Sequence, residues 1–351
     1  MKIAILVHHG LGDLLLALPL LRSCAIATGA AGSLVIVVKS QAEADLIPFL
    51  ALDTPTETVI LGKTNGRSAL AALRSLIAIR RTRPDILLAP HNTSGIGAGL
   101  FAFASGARLR VGPFSRAIGR FLYSHTVSRK PTDNKAHYYL RFAYTAGLPK
   151  LPSPVQPKNL AHLLKAQPRS MPRKSRAPFY RIGLAPGSNS VEIHKRWPTE
   201  MWRGLAKMIQ LRLPQSRIVI IGSPSETGLL EAVPPPNCPE NWMIKTCDSV
   251  PEVLVEYANL DCVVSCCTGA VHLAAAAGTP SLAVYGPTDP DWTGSPSPQA
   301  IAVRTDLPCA PCYSDDFRTG CEAPTCMQSI APERVLQALE EIVHQSSKES
   351  Q

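Results

Sequence analysis

The turn His9-Gly10-Leu11-Gly12-Asp13 follows an apolar run, Ile3 to Val7, and precedes an apolar-periodic stretch. Glycines placed after a buried strand let the backbone approach a ligand, and the helix that follows aims its amide-rich end at the same space. Gly12 is therefore a candidate for ligand contact and Asp13 a candidate carboxylate base. The same Asp13 has an ordinary reading as a helix-start residue, complementing free amides and the helix dipole. The spacing is not GxGxxG, so the dinucleotide fingerprint is absent.

Two further constellations lie in the second half of the sequence. Cys267-Thr268-Gly269-Ala270-Val271-His272 follows the buried run DCVVS and opens the Ala-rich segment HLAAAAG. A hydroxyl from Thr268, the bare backbone of Gly269 and the amides of a helix start make a diphosphate cradle, with His272 one turn in. A single helical His is as readily structural. Its place at a strand's C-terminal edge favours a binding role, because open α/β sheets bind ligands there. Ala185-Pro186-Gly187-Ser188-Asn189-Ser190 follows the strand RIGL and leads to Lys195-Arg196-Trp197-Pro198. Small polar residues with a lysine beyond them suit a phosphate loop, which nominates Ser188, Asn189, Ser190 and Lys195. Arg196 reads rather as a solvated loop residue. Glu226, in the turn after RIVIIG, is placed to accept ribose hydroxyls as the acidic residue of Rossmann folds does.

Cys309, Cys312, Cys321 and Cys326 form C-x2-C-x8-C-x4-C. Four thiols at this range suit a tetrahedral site for a structural zinc or, as a second choice, iron. They are equally consistent with four loop thiols that hold no metal. The other six cysteines, Cys24, Cys238, Cys247, Cys262, Cys266 and Cys267, are scattered or sit in apolar runs and read as reduced core residues.

The elements that must position these residues alternate. Short apolar strands at 34–39, 85–90, 181–186, 217–222, 261–265 and 281–286 are separated by helical patterns at 14–27, 43–50, 67–81, 198–211, 251–259 and from Gly269 onward. A helix and short strand are expected within 95–112. Such alternation predicts an α/β fold with parallel sheets wrapped by helices. A Pro-, Lys- and Arg-rich stretch around 149–178 reads as a linker. The domains are then 1–150, a linker at 151–178, and 179–351, the last carrying the cysteine loop 309–326. A chain of 351 residues fits two cores better than one.

The balance of 36 Lys+Arg against 26 Asp+Glu gives a net charge of +10 and points to an acidic partner. Nucleic acid is disfavoured, since interleaved aromatics and a recognised binding motif are lacking. The first apolar run breaks at His8, His9 and Gly10, and no stretch reaches the length of a membrane span. The expectation is a cytoplasmic protein that is neither exported nor membrane-spanning.

Taken in order, HHGLGDLLLALPLLR, GLAPGSNSVEIHKRWP, CTGAVHLAAAAGTPSLAVYGPTDP and the cysteine segment ending in CMQSIAPERVL resemble glycosyltransferase family nine, the ADP-heptose:lipopolysaccharide heptosyltransferases. The resemblance is ordered and runs nearly the full length. It implies a GT-B fold: two Rossmann-like domains facing a cleft, with an N-terminal acceptor domain and a C-terminal nucleotide-sugar domain. It makes Asp13 the general base and Lys195 a cation that meets the leaving diphosphate. Gly12, Ser188, Asn189, Ser190, Glu226, Thr268, Gly269 and His272 become donor contacts, and transfer needs no cofactor. It further implies an ADP-heptose donor, an anionic glycolipid or glycan acceptor such as lipopolysaccharide core, and peripheral association with the inner membrane. This chain departs from the family at Cys267, where an Asp usually precedes the Thr-Gly or Ser-Gly pair; a thiol cannot supply a carboxylate's paired acceptors. Two alternatives follow: transfer of a different sugar in O-antigen or capsule synthesis, or a catalytically impaired protein that binds nucleotide sugars.

Overall fold

The computed structural model describes residues 1–7, 9–61, 69–90, 96–114, 119–130, 133–151, 180–189, 192–234, 240–313, 321 and 325–349. The chain divides into two compact units, Met1–Gln156 and Pro157–Gln351. The expected linker at 151–178 lies, beyond its first residue, outside the described residues.

The first unit runs β1 (Lys2–Leu6), α1 (Leu11–Leu16), α2 (Leu18–Thr28), β2 (Ser33–Val38), α3 (Gln41–Leu46), β3 (Thr56–Ile60), α4 (Ala69–Thr82), β4 (Ile86–Leu88), α5 (Ile96–Ala104), β5 (Leu109–Pro113), α6 (Gly119–Leu122), β6 (His125–Val127) and α7 (Lys135–Thr145). The six strands are parallel, in the order β3-β2-β1-β4-β5-β6. β1 lies between β2 and β4, pairing Ile5 with Ile36 on one side and Leu88 on the other. Such a strand has both faces covered, which explains the unbroken apolar run of Ile3, Ala4, Ile5 and Leu6, all buried.

The segment 14–27, expected as one helix, is two. α1 ends at Leu16 and α2 starts at Leu18 with a proline in its first turn. Pro19 has no N–H to give and its ring crowds the carbonyl four residues back, so it starts a helix more readily than it continues one. For the same reason α3 stops at Leu46 and gives way to a 3₁₀ turn, Ile47–Leu50, that contains Pro48.

The second unit repeats the plan: β7 (Arg181–Ala185), α8 (Thr199–Arg212), β8 (Arg217–Gly222), α9 (Thr227–Glu231), β9 (Trp242–Thr246), α10 (Val250–Ala258), β10 (Cys262–Cys266), α11 (Gly269–Ala277), β11 (Ser281–Tyr285), α12 (Pro290–Thr293), β12 (Ala300–Arg304), α13 (Thr325–Gln328) and α14 (Pro332–Glu349). Its sheet is also parallel, in the order β12-β11-β10-β7-β8-β9. Both sheets therefore reverse direction beside their first strand, between β1 and β4 and between β7 and β10. Crossover helices on the two sides of such a point go to opposite faces and leave the strand ends open for a ligand.

The core of the second unit joins Ile182, Leu184, Ile218, Ile220, Val264 and Leu282 to apolar residues of α8 and α14. At its centre Trp197 and Trp202 meet edge to face, with ring centroids 5.1 Å apart. Trp197 Nε1 donates to the Ile330 carbonyl at 3.0 Å, whereas Trp202 Nε1 has no partner among the described residues. Trp202→Ala is expected to cost about 3–5 kcal/mol, as for other buried aromatics. Trp202→Phe should cost much less, because it keeps a ring and removes an unpaired buried donor. Urea unfolding of both variants checks the order.

Candidate active site

In the first unit, Gly10, the N-cap of α1, carries φ of +148°, a conformation that a residue with a Cβ rarely adopts. Gly12 and Asp13 lie in the first turn of that helix. The Asp13 carboxylate reaches across to α7, where Oδ1 accepts a hydrogen bond from Tyr139 Oη at 2.7 Å and pairs with Lys135 Nζ at 2.6 Å. Lys135 stands in the first turn of α7, whose start is capped by Asn134 Oδ1 accepting from Ala136 N at 3.0 Å. A residue serving only its own helix start would not need two partners more than 120 positions away in sequence. The carboxylate is oriented at the end of the strand beside the sheet's reversal point.

In the second unit the loop after β7 and the start of α11 after β10 occupy the ends of adjacent strands. The two are tied together: Trp197 N donates to Cys266 Sγ at 3.3 Å. Burial pushes the Cys266 thiol up to about 12, so it stays protonated and packs as an apolar group. Thr268 caps α11, its hydroxyl accepting weakly from Ala270 N at 3.4 Å. Gly269 is the first residue of α11, and His272 follows on its first turn, where it is buried.

Lys195 ends the 3₁₀ turn Ile193–Lys195 and is buried. Its Nζ pairs with Glu192 Oε1 at 2.6 Å and lies 4.4 Å from the centroid of the Tyr313 ring. Tyr313 Oη donates to the same Glu192 oxygen at 3.1 Å, and its ring stacks on His194 with centroids 5.3 Å apart. Arg196 is not a solvated side chain: Nε donates to Ser188 Oγ and Nη2 to the Ser188 carbonyl, both at 2.9 Å. The Ser188 hydroxyl also donates to the Glu192 carbonyl at 3.2 Å. Ser188 and Arg196 thus brace the loop that presents Lys195. Asn189 is exposed beside them, and Ser190 lies outside the described residues.

Glu226 is both a cap and a neighbour of this loop. Its Oε2 accepts from Ser223 N at 2.9 Å and from Ser223 Oγ at 2.8 Å, closing a capping box. A Cβ added to Gly187 would sit 2.0 Å from Glu226 Oε1, so the bare glycine is what admits the carboxylate against the loop.

Among the described residues no group of three or more His, Cys, Asp and Glu is placed to hold a metal ion. Cys309 and Cys321 are exposed, while Cys326 is buried in α13, its Sγ 3.0 Å from where a Cβ of Gly286 would stand. Burial first, then the nearby thiols of Cys321 and Cys309, raise the pKa of Cys312. Burial first, then the thiol of Cys312 and, less strongly, those of Cys321 and Cys309, raise the pKa of Cys326 as well, so the four thiols lie near one another. Of the remaining cysteines, Cys24, Cys247, Cys262, Cys266 and Cys267 are free and buried, and Cys238 lies outside the described residues.

Residue-by-residue reading missed Lys135, Tyr139, Glu192 and Tyr313. The Glu192–Lys195 pair has the i,i+3 spacing of helical ion pairs and was open to detection. Tyr139 and Lys135 share one helical face at i,i+4, but nothing in their own segment names Asp13 as the partner.

The sequence profile of "Glycosyltransferase family 9 (heptosyltransferase)" matches residues 98–321. Lipopolysaccharide heptosyltransferase 1 of Pseudomonas aeruginosa is 30% identical over 168 residues, which cover 42% of this chain and 44% of that protein. The match thus spans less than half the length of that curated relative. Among solved structures, E. coli ADP-heptose lps heptosyltransferase II is 20% identical with a TM-score of 0.69, covering 99% of this chain and 100% of that one. E. coli heptosyltransferase WaaC with ADP-2-deoxy-2-fluoro heptose is 18% identical with a TM-score of 0.70, covering 97% and 99%. These likenesses show the two-Rossmann GT-B fold.

The loop around Lys195 gives a pH signature. Burial first, then the charge of Lys195, lower the His194 pKa below its ordinary 6.5, with Glu192 opposing. His194 Nε2 is buried without a partner among the described residues. The unfolded chain therefore binds the extra proton more readily, and stability falls as pH drops through about 6.5 towards the lowered folded value. Thermal melts between pH 7.5 and 5 should show that fall, and His194→Gln should flatten it; an unchanged slope would remove His194 as the cause.

Proposed function

On the premise that this chain belongs to glycosyltransferase family 9, we propose that it transfers a sugar from a nucleotide-diphosphate donor, ADP-heptose first among candidates, to a hydroxyl of a lipopolysaccharide-core or related surface-glycan acceptor. The supporting observation is the placement of Lys195 and the α11 start on adjacent strand ends beside the sheet's reversal point. Cations and helix amides there meet an anionic leaving group. Asp13, held by Lys135 and Tyr139, takes the proton from the acceptor hydroxyl. The acceptor oxygen bonds to the anomeric carbon as the bond from that carbon to the diphosphate breaks, and the nucleoside diphosphate leaves with the electron pair. Glu226, beside Gly187, is assigned to the ribose hydroxyls, and Gly12, Ser188, Asn189, Ser190, Thr268, Gly269 and His272 complete the donor-contact assignment. Each step is assigned to residues of this chain.

A second reading follows from Cys267. Its thiol lies 3.5 Å from Thr293 Oγ1 and is buried with Val271, Ala283 and Tyr285. An apolar-packed thiol favours a donor sugar other than heptose, or donor binding without efficient turnover. Side-by-side binding of ADP, GDP and UDP sugars separates these readings: preference for ADP-heptose with turnover supports the first, and preference for another series the second.

The same proposal places the protein at the cytoplasmic face of an anionic bilayer, through the outer sides of α4, α5 and α6. The inner sides of α4 and α5 cover one sheet face through Ile79 and Ala102. Their outer sides expose Leu73, Ile77, Leu100 and Phe103, and α6 exposes Phe121. From Arg74 to Lys130 the chain has ten basic residues and one acidic residue, Asp85. Apolar side chains among arginines match a surface of anionic headgroups over acyl chains. In co-sedimentation, full-length protein should bind phosphatidylglycerol-containing vesicles and lose binding in Ile77→Asp/Phe103→Asp with its circular dichroism unchanged. Equal binding by wild type and variant would overturn this surface.

Asp13→Asn should cut kcat by about 10²–10⁴, the worth of a positioned general base, with donor affinity near normal. Lys195→Ala should weaken donor affinity and turnover together, because a phosphate-paired cation acts in ground and transition states. Near-wild-type kcat in Asp13→Asn at saturating substrates would leave Asp13 a positioned helix residue without catalytic work.

A further inference from the structure

The loop that carries the four cysteines also carries Tyr313, and Tyr313 is the side chain that touches Lys195, Glu192 and His194 together. Its ring centroid is 4.4 Å from Lys195 Nζ, its hydroxyl donates to Glu192 Oε1 at 3.1 Å, and its ring stacks on His194 with planes 29° apart. The loop is itself docked. Cys312 N and Tyr313 N both donate to the Pro287 carbonyl, at 3.0 and 2.8 Å, just beyond the end of β11. Cys326 and Met327 pack directly beneath Gly286, where no side chain would fit. Tyr313 is therefore anchored on one side to a core strand and on the other to the turn that presents Lys195.

We propose that Tyr313 is a positioning residue for Lys195, holding its ammonium ready for the donor's diphosphate; this rests on the assignment of Lys195 to that diphosphate. A lysine side chain has four rotatable torsions, and an anion that must order them loses affinity to the ordering cost. Pairing with Glu192 alone would order the chain but direct its charge at a competing carboxylate. The Tyr313 hydroxyl shares the Glu192 oxygen that Lys195 uses, which weakens that oxygen's claim on the ammonium. The ring gives the ammonium a second seat that holds it by its quadrupole without neutralising it. The cysteine loop thereby acquires a role in donor binding that does not require its thiols to hold a metal.

Titration of the full chain with ADP as the probe tests the inference. Tyr313→Leu removes ring and hydroxyl and should weaken ADP by about tenfold, within the range a desolvated cation–π contact carries. Tyr313→Phe keeps the ring and should stay within about threefold of wild type. Lys195→Ala should weaken ADP, and adding Tyr313→Leu to it should cost nothing more, because a positioning residue has nothing left to position. Additive losses in the double variant, or equal losses in Tyr313→Phe and Tyr313→Leu, would overturn the inference. If Lys195→Ala weakens ADP while Tyr313→Leu does not, the inference alone fails. If Lys195→Ala leaves ADP binding unchanged, the diphosphate assignment fails and the inference with it.

Discussion

In a parallel sheet all strands end at one edge, and where strand order reverses the crossover helices depart to opposite faces. The edge between the two departing helices has nothing of the fold's own to cover it. Each unit of this chain has one such reversal, beside β1 and beside β7. The residues there are bound by that geometry. Gly10 adopts φ of +148° at the N-cap, where the chain turns into α1. Thr268 leaves the helical conformation to cap α11 immediately after β10. Gly187 gives up a side chain so that Glu226 can lie against the loop after β7.

The same openness sets an electrostatic condition. A charged side chain partly removed from water must be paired or hydrogen-bonded, because desolvation of an isolated ion costs several kcal/mol. Asp13 meets the condition through Lys135 and Tyr139, and Lys195 through Glu192 and Tyr313. These partners do more than balance charge. Asp13 and Lys195 are each held by an aromatic residue as well as by an opposite charge, and rigid rings on short side chains fix position with little entropy left to lose. Under the proposed function, a diphosphate approaching Lys195 competes with one carboxylate whose oxygen is already shared with a tyrosine hydroxyl. That competition is gentler than displacing a bidentate ion pair.

The central strands were legible in the sequence because burial on both faces writes itself as an unbroken apolar run. Ile3–Leu6, Leu34–Val38, Ile218–Ile221 and Leu282–Val284 are all such runs. The outer strands were not. β3 reads TETVI with Thr56, Glu57 and Ile60 exposed, and β9 reads WMIKT with Met243, Ile244 and Thr246 exposed. A strand with one neighbour and one solvated side needs no such run, and its sequence resembles a loop. Asp13, Lys195 and Thr268 were legible because chain-local features, glycines and helix starts after strands, mark them. Lys135, Tyr139 and Tyr313 were hidden because their function is defined by a partner brought close only by folding, more than 100 residues away in sequence. Arg196 was misread for a related reason. A loop arginine looks solvated until the carbonyl it braces, Ser188, is seen.

Cys267 shows how far such a site can change while its frame stays intact. The start of α11 offers backbone amides and the Thr268 cap, the proposed cradle for a diphosphate, and neither depends on the side chain before them. The surroundings of Cys267 are built for a thiol: Val271, Ala283 and Tyr285 enclose it, and the Thr293 hydroxyl nearby already donates to the Asp289 carbonyl at 2.8 Å. A carboxylate here would find one donor in the Tyr285 hydroxyl, which already hydrogen-bonds Cys267, and would place a negative charge among otherwise apolar neighbours. Under the proposed function, a buried thiol in place of a carboxylate puts no charge beside the phosphates and offers no paired acceptor for a sugar hydroxyl. On the same reading the consequence falls on which sugar is held rather than on whether a nucleoside diphosphate is held, since the α11 amides, Lys195 and Glu226 proposed for the nucleotide part do not involve this side chain.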